Sequence, residues 1–206
     1  MTRRSGLIIK NVAFLLPFLL YSCYRFRCTL VAIFAVLLLP ILLYFSVPVT
    51  GVLYNWPAAM TACPAGWHLP SDAEWTQLED YLANNGHNFD GTTGGGRKKI
   101  GKSMASRSGW DKSRYVGSVG SNDYKAYRNK SGFSALPGGY HSSDEIYLEV
   151  GWIFNDIGRT GFWWSSTEGN PSYAWYRGLS YSSSNVYRDL QLPKEHGFSV
   201  RCLRDE

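Results

Sequence analysis

The sequence predicts an α+β domain of two helices and short antiparallel strands, preceded by an N-terminal transmembrane helix. Three observations carry that prediction. A capping box near residue 72 opens a run with helical apolar spacing; short, glycine-punctuated strand patterns fill the chain beyond Gly109; and Leu30 to Val49 is a run of twenty residues without a charge. The 206 residues are 45% hydrophobic, 16% aromatic and only 18% charged, which excludes a disordered polar tail and suffices for one ordinary domain plus extras.

The run LVAIFAVLLLPILLYFSVPV has the length needed to cross a hydrocarbon core of ~30 Å as a helix. Pro40 is tolerable within it because neighbours or water take up the freed carbonyl, and Pro48 marks the exit. The earlier stretch, Leu7 to Leu20, is broken by Lys10, Asn11 and Pro17 and is closer to a signal-peptide core than to a second span. Leu20-Tyr21-Ser22-Cys23 loosely resembles a lipoprotein cleavage box, although Tyr21 fits it poorly. Residues 1–50 therefore read as a membrane anchor or signal segment.

The formal net charge of +5 arises entirely there. Arg3, Arg4, Lys10, Arg25 and Arg27 meet no acid, while the other 16 basic residues are matched by 16 acids. A pI near 9.0 would suggest nucleic acid, but the excess flanks an apolar run instead of covering a folded face. It reads as membrane topology, and no nucleic-acid partner is expected. With Arg25 and Arg27 on its near side, the Leu30 segment should hold its N-terminus in the cytoplasm and send residues 51–206 outward.

Composition changes after residue 50, where glycine, serine and tyrosine dominate and all eight tryptophans lie. No repeat period or linker-like tract divides residues 51–206, so they read as one domain. Ser71-Asp72-Ala73-Glu74 is the capping box, and Trp75, Leu78, Tyr81 and Leu82 recur on one helical face, predicting a helix from about Asp72 to Ala83. Asn84-Asn85-Gly86 ends it, and a glycine-rich loop follows through Gly96. Lys98 to Ser106 is the second predicted helix. The predicted strands are Gly151-Trp152-Ile153-Phe154, Gly161-Phe162-Trp163-Trp164, Tyr173 to Tyr181, Asn185 to Leu190 and Gly197 to Leu203. Helices early and strands late make the class α+β.

Several blocks within residues 51–206 are recognisable: Leu53-Tyr54-Asn55-Trp56, Cys63 through Ser71 (CPAGWHLPS), Gly132 through Gly139 (GFSALPGG), Trp163 through Glu168 (WWSSTE) and Gly197 through Cys202 (GFSVRC). In that order they resemble the Fibrobacter succinogenes major paralogous domain. The resemblance implies a C-type-lectin-like fold, related also to formylglycine-generating enzymes, on secreted or surface proteins of bacteria. Such domains usually begin with further strands before the Leu-Tyr-Asn-Trp block, where this chain has the apolar segment.

Gly96-Arg97-Lys98-Lys99-Ile100-Gly101-Lys102-Ser103 satisfies the phosphate-loop pattern, but a polar loop precedes it instead of a buried strand, so nucleotide binding is not expected. Cys63 and Cys202 bracket the domain without the close spacing of zinc ligands, and a disulfide between them is the better reading outside the cytoplasm. Formylglycine-generating enzymes need a cysteine pair near the end of the domain, where this chain has only Cys202. The histidines at 68, 87, 141 and 196 are scattered and nominate no triad. Asp144, Glu145, Glu149 and Asp156 could pair for hydrolysis or calcium, but such residues more often face water. Glu168-Gly169-Asn170-Pro171 and Phe154-Asn155-Asp156 echo the calcium- and sugar-binding triplets of C-type lectins, which leaves calcium-dependent sugar binding open.

Fourteen of the twenty residues from Asn170 to Asp189 are Tyr, Ser, Asn, Trp or Arg, the palette of antibody paratopes. Alternation points Trp175, Leu179 and Val186 at the core and Tyr176, Ser180 and Tyr187 at water. In lectin-fold variable proteins of diversity-generating retroelements the diversified positions lie on such a hairpin, which the resemblance extends to this one. The predicted ligand face is Tyr176, Ser180, Ser182, Tyr187 and Asp189. The expected function is a non-catalytic, membrane-tethered module outside the cytoplasm, at the bacterial cell surface or in the periplasm. Its expected partners are a glycan or protein ligand and the membrane through Leu30 to Val49, with no cofactor and no metal. The competing classes are a degenerate oxidase of the formylglycine type, a hydrolase, or a structural surface-layer protein.

Overall fold

Asn55 opens the first element by turning its side chain onto the backbone, its Oδ1 accepting from Ala58 N at 3.0 Å, and a one-turn helix α1 (Trp56–Ala59) follows. The computed structural model describes residues 51–142 and 154–205. Strand β1 (Trp67–His68) leads to helix α2 (Asp72–Asn84), where both capping-box bonds form: Ser71 Oγ accepts from Glu74 N, and the Glu74 carboxylate accepts from Ser71 N at 2.7 Å. Trp75, Leu82 and Ala83 are buried on the inner face of α2. Tyr81, expected beside them, is 61% exposed. Gly86 takes φ +71° just past the helix end, a left-handed turn that glycine adopts without steric cost.

The predicted second helix contracts to a 3₁₀ turn at Gly96–Lys98 and the single turn of helix α3 (Gly101–Met104). Tertiary contacts stop it. Gly101 N donates to Ser184 O at 2.9 Å, so close that a Cβ on Gly101 would lie 2.7 Å from that oxygen. Ala105 then turns extended, and the backbone around it bonds to Ala135 on both sides, Ala135 N to Met104 O and Ser106 N to Ala135 O. Backbone groups of the expected helix find partners elsewhere, Met104 O and Ser106 N at Ala135, Gly101 N at Ser184 and Lys102 O at Asn129.

The remaining strands are β2 (Tyr140–His141), β3 (Phe154–Asn155), β4 (Thr160–Glu168), β5 (Ala174–Ser180), β6 (Tyr187–Asp189) and β7 (Leu203–Arg204). They form three small antiparallel sheets: β1 with β7, β2 with β3, and β4-β5-β6 in sequence order. The fold-class expectation is corrected on two counts. Among the described residues α2 is the one helix longer than a turn, and small antiparallel sheets make up most of the regular structure. The expected N-terminal transmembrane helix has no support, because no helix among the described residues is long and apolar enough to cross a membrane, and Leu30 to Val49 lies outside them.

The β4-β5-β6 sheet is covered on both faces. Toward α2, Trp163 and Leu179 pack with Trp75, Ile100, Met104 and Val186. On the other side Trp164, Ala174 and Tyr176 pack with Phe198, Leu69 and Ala59. Adjacent Trp163 and Trp164 point into different clusters, as the two-residue period of a strand requires. Cys63 and Cys202 are joined in a disulfide spanning 139 residues, which ties the end of α1 to the chain entering β7.

Candidate functional site

The hairpin β5-β6 and its neighbour β4 arrange the expected ligand residues in rows. Phe162 pairs with Gly178 and Gly178 with Tyr187; Trp164 pairs with Tyr176 and Tyr176 with Asp189; Thr160 pairs with Ser180. Because side chains two apart share a face, Phe162, Tyr176, Ser180, Tyr187 and Asp189 all stand on the side of the sheet away from α2. The structure therefore brings the predicted face together, but at two depths.

Tyr176 is the deep one, and its expected exposure is corrected. It is 5% exposed and meets Trp164, Phe162 and Phe198 edge-on at ring distances of 6.3, 5.7 and 5.1 Å. Burial, and next the Asp189 carboxylate, push its hydroxyl well above the usual phenol range. Alternation exposes one set of side chains only where one sheet face is wet, whereas a sheet packed on both sides buries both sets. Trp175, expected inside, is half-buried instead, with the Arg188 guanidinium 3.9 Å from its ring.

The shallow part is open. Tyr187 is 45% exposed, and Ser180, Ser182 and Asp189 are half-buried, with Ser180 Oγ and Ser182 Oγ 3.2 Å apart. Gly178 creates the floor: a Cβ there would lie 2.9 Å from the Phe162 ring and 3.7 Å from Tyr187 Cβ, so the ring lies across the strand and beside Tyr187. Tyr140 extends that floor, meeting Phe162 edge-on at 5.6 Å. Thr160 Oγ1, beside Ser180, is buried without a hydrogen-bond partner. Phe162 and Gly178 escaped the sequence reading. A glycine inside a strand was the available signal, since it marks a close approach.

The other candidates are held structurally. Lys102 of the phosphate-loop pattern is fully buried, its ammonium facing Ser121 O, Ser121 Oγ, Asp123 O and Asp123 Oδ1 at 2.8–2.9 Å. Four acceptors saturate its three protons, leaving none to offer a phosphate. Glu168 of the Glu-Gly-Asn-Pro echo pairs with Lys194, whose Nζ also bonds Asn170 O and Pro171 O at 2.9 and 3.1 Å, so an internal cation fills that loop. Asp144, Glu145 and Glu149 lie outside the described residues, Asp156 is exposed, and no group of metal-holding side chains occurs among the described residues. A cleft of about 380 Å³ between Tyr54, Leu136, Trp163 and Arg201 is lined by no acid or histidine.

A family model described as the Fibrobacter succinogenes major domain matches residues 43–204. The match begins inside the apolar run, placing the last seven residues of Leu30 to Val49 within the matched domain. No curated protein and no solved structure matches the chain.

Proposed function

We propose, from the premise that this chain belongs to the Fibrobacter succinogenes major domain family, that it is a non-catalytic module that binds a glycan or protein ligand outside the cytoplasm. The observation that carries this reading is the face of the β4-β5-β6 sheet away from α2. There, exposed Tyr187 adjoins the Phe162 ring over Gly178, with Ser180, Ser182 and Asp189 around them. Rigid rings supply contact area at little entropic cost, and short hydroxyl and carboxylate side chains supply adaptable hydrogen bonds. The Cys63–Cys202 disulfide supports an oxidising compartment, and with both sulfurs bonded to each other the domain offers no thiol pair for oxidase chemistry of the formylglycine type.

The full chain, probed against arrays of glycans and of bacterial surface proteins, is expected to bind ligands that Tyr187→Ala and Ser182→Ala lose at unchanged melting temperature. Equal binding by both variants would move the site elsewhere.

A further inference from the structure

Resting on that binding face, we infer that the group it recognises is a cation, the guanidinium or ammonium of a basic side chain on a partner protein, seated over Tyr187 with its charge on Asp189.

Asp189 is the anomaly. Of the described acids that are half-buried or buried, Asp72 faces Arg177 and Arg188, Glu74 faces His68, Glu79 faces Arg177, Asp90 faces Lys99 and Asp123 faces Lys102. Asp189 alone among them has no cation among the described residues. Its Oδ1 accepts from Leu190 N at 2.7 Å, and its Oδ2 has no hydrogen-bond partner among the described residues. A half-buried carboxylate without a counter-charge leaves a place for an incoming cation, which it would bind through charge-assisted hydrogen bonds.

The opposite face of the same sheet shows the occupied form of this constellation. There the Arg188 guanidinium stacks 3.9 Å from the Trp175 ring while Nη2 and Nε reach Asp72 Oδ2 and Oδ1 at 2.7 and 2.9 Å. Aromatic ring, carboxylate and guanidinium complete one another. Around residue 189 the ring and the carboxylate recur, Tyr187 standing two residues from Asp189 on one face, and the described residues supply no guanidinium. Elsewhere it covers rings with its own cations, Lys194 over Trp56 and Arg201 over Phe133, both at 4.6 Å; Tyr187 has none among the described residues. The face thus offers ring surface, hydroxyls and one unneutralised charge. A neutral sugar would use the rings and hydroxyls but leave that charge unanswered, whereas a basic side chain answers all three.

The test immobilises the full chain and flows over it a short glycine–arginine repeat peptide, the same peptide with citrulline for arginine, and a neutral linear glucan. The arginine peptide should bind, with citrulline weakening it about ten-fold or more, since citrulline keeps the shape and removes the charge. Asp189→Asn, which preserves the Leu190 contact, should weaken it as much at unchanged melting temperature. Asp80→Asn, at an exposed acid on α2, should change nothing. Equal binding of the two peptides, no effect of Asp189→Asn, or an equal loss in Asp80→Asn would each overturn the assignment. If only the glucan binds and Tyr187→Ala abolishes it, the cation is wrong and the face stands. If Tyr187→Ala alters no binding at all, the face falls with it.

Discussion

Tyr176 and Tyr187 share a face, a hairpin and a chemical type, yet their neighbours give them different work. Truncating Tyr176 removes a ring packed against Trp164, Phe162 and Phe198, and Tyr176→Ala should cost about 3 to 5 kcal/mol, the range for a buried aromatic. Tyr187→Ala should stay within about 0.5 kcal/mol, as surface changes do. Urea denaturation of the two variants decides it, and equal losses would contradict the two-depth arrangement. His68 shows a second residue-scale device. Its Nδ1 lies 2.6 Å from Asp205 and its Nε2 2.9 Å from Glu74, and both nitrogens can donate only when the ring is protonated. The hydrogen bond to Asp205, then that to Glu74, raises its pKa above the ordinary histidine value. A raised folded-state value means the clasp contributes fully below the unfolded pKa of ~6.5 and is lost as pH rises through the higher folded value. The melting-temperature gap between wild type and His68→Gln should therefore narrow as pH climbs above ~6.5; a gap independent of pH would show that the ring is neutral.

Helix α2 is held to the sheet by charge as well as by its apolar face. Arg177, 1% exposed, donates to Glu79 through Nε and to Asp72 Oδ1 at 2.7 Å, and Arg188 grips the same Asp72. Burial pushes the Glu79 carboxyl up against the opposing pull of Arg177. Arg177→Met should cost about 3 to 5 kcal/mol by leaving Glu79 buried and unpaired, and adding Glu79→Leu should restore part of it, because an apolar pair avoids the desolvation that the ions bear. Urea midpoints of the single and double variants measure this, and a double variant worse than the single would refute it. The helix itself was legible, since Ser71 and Glu74 declare their cap within four residues. The clamp was not: Glu79 and Arg177 stand 98 residues apart, and no local pattern pairs them. The one-turn α3 was illegible for the same reason, its limit set by the distant carbonyl of Ser184 and the backbone of Ala135.

Across the whole molecule, long-range ties decide the outcome. The Cys63–Cys202 bond closes a loop of 139 residues, and in the chain-entropy model such a loop is worth about 4 to 5 kcal/mol. Cys63→Ser with Cys202→Ser should lower unfolding stability by that order, measured against the oxidised wild type in urea. Cys63 and Cys202, bracketing the domain without the close spacing of zinc ligands, made that pairing readable in advance, and blocks distributed from Leu53 to Cys202 made the family readable. Burial of both sheet faces was not readable, because Phe198 reaches Tyr176 from outside the sheet and nothing in the hairpin's own alternation reports it. The central claim, that ligands dock on the side of the β4-β5-β6 sheet away from α2, is tested most directly by comparing two aromatics of like exposure. Tyr187 is 45% and Trp67, on the separate β1-β7 ribbon, 44% exposed. Titrating any ligand recovered from the arrays against Tyr187→Ala and Trp67→Ala in the full chain should show binding lost in the first and retained in the second. Loss in Trp67→Ala with retention in Tyr187→Ala would contradict the account.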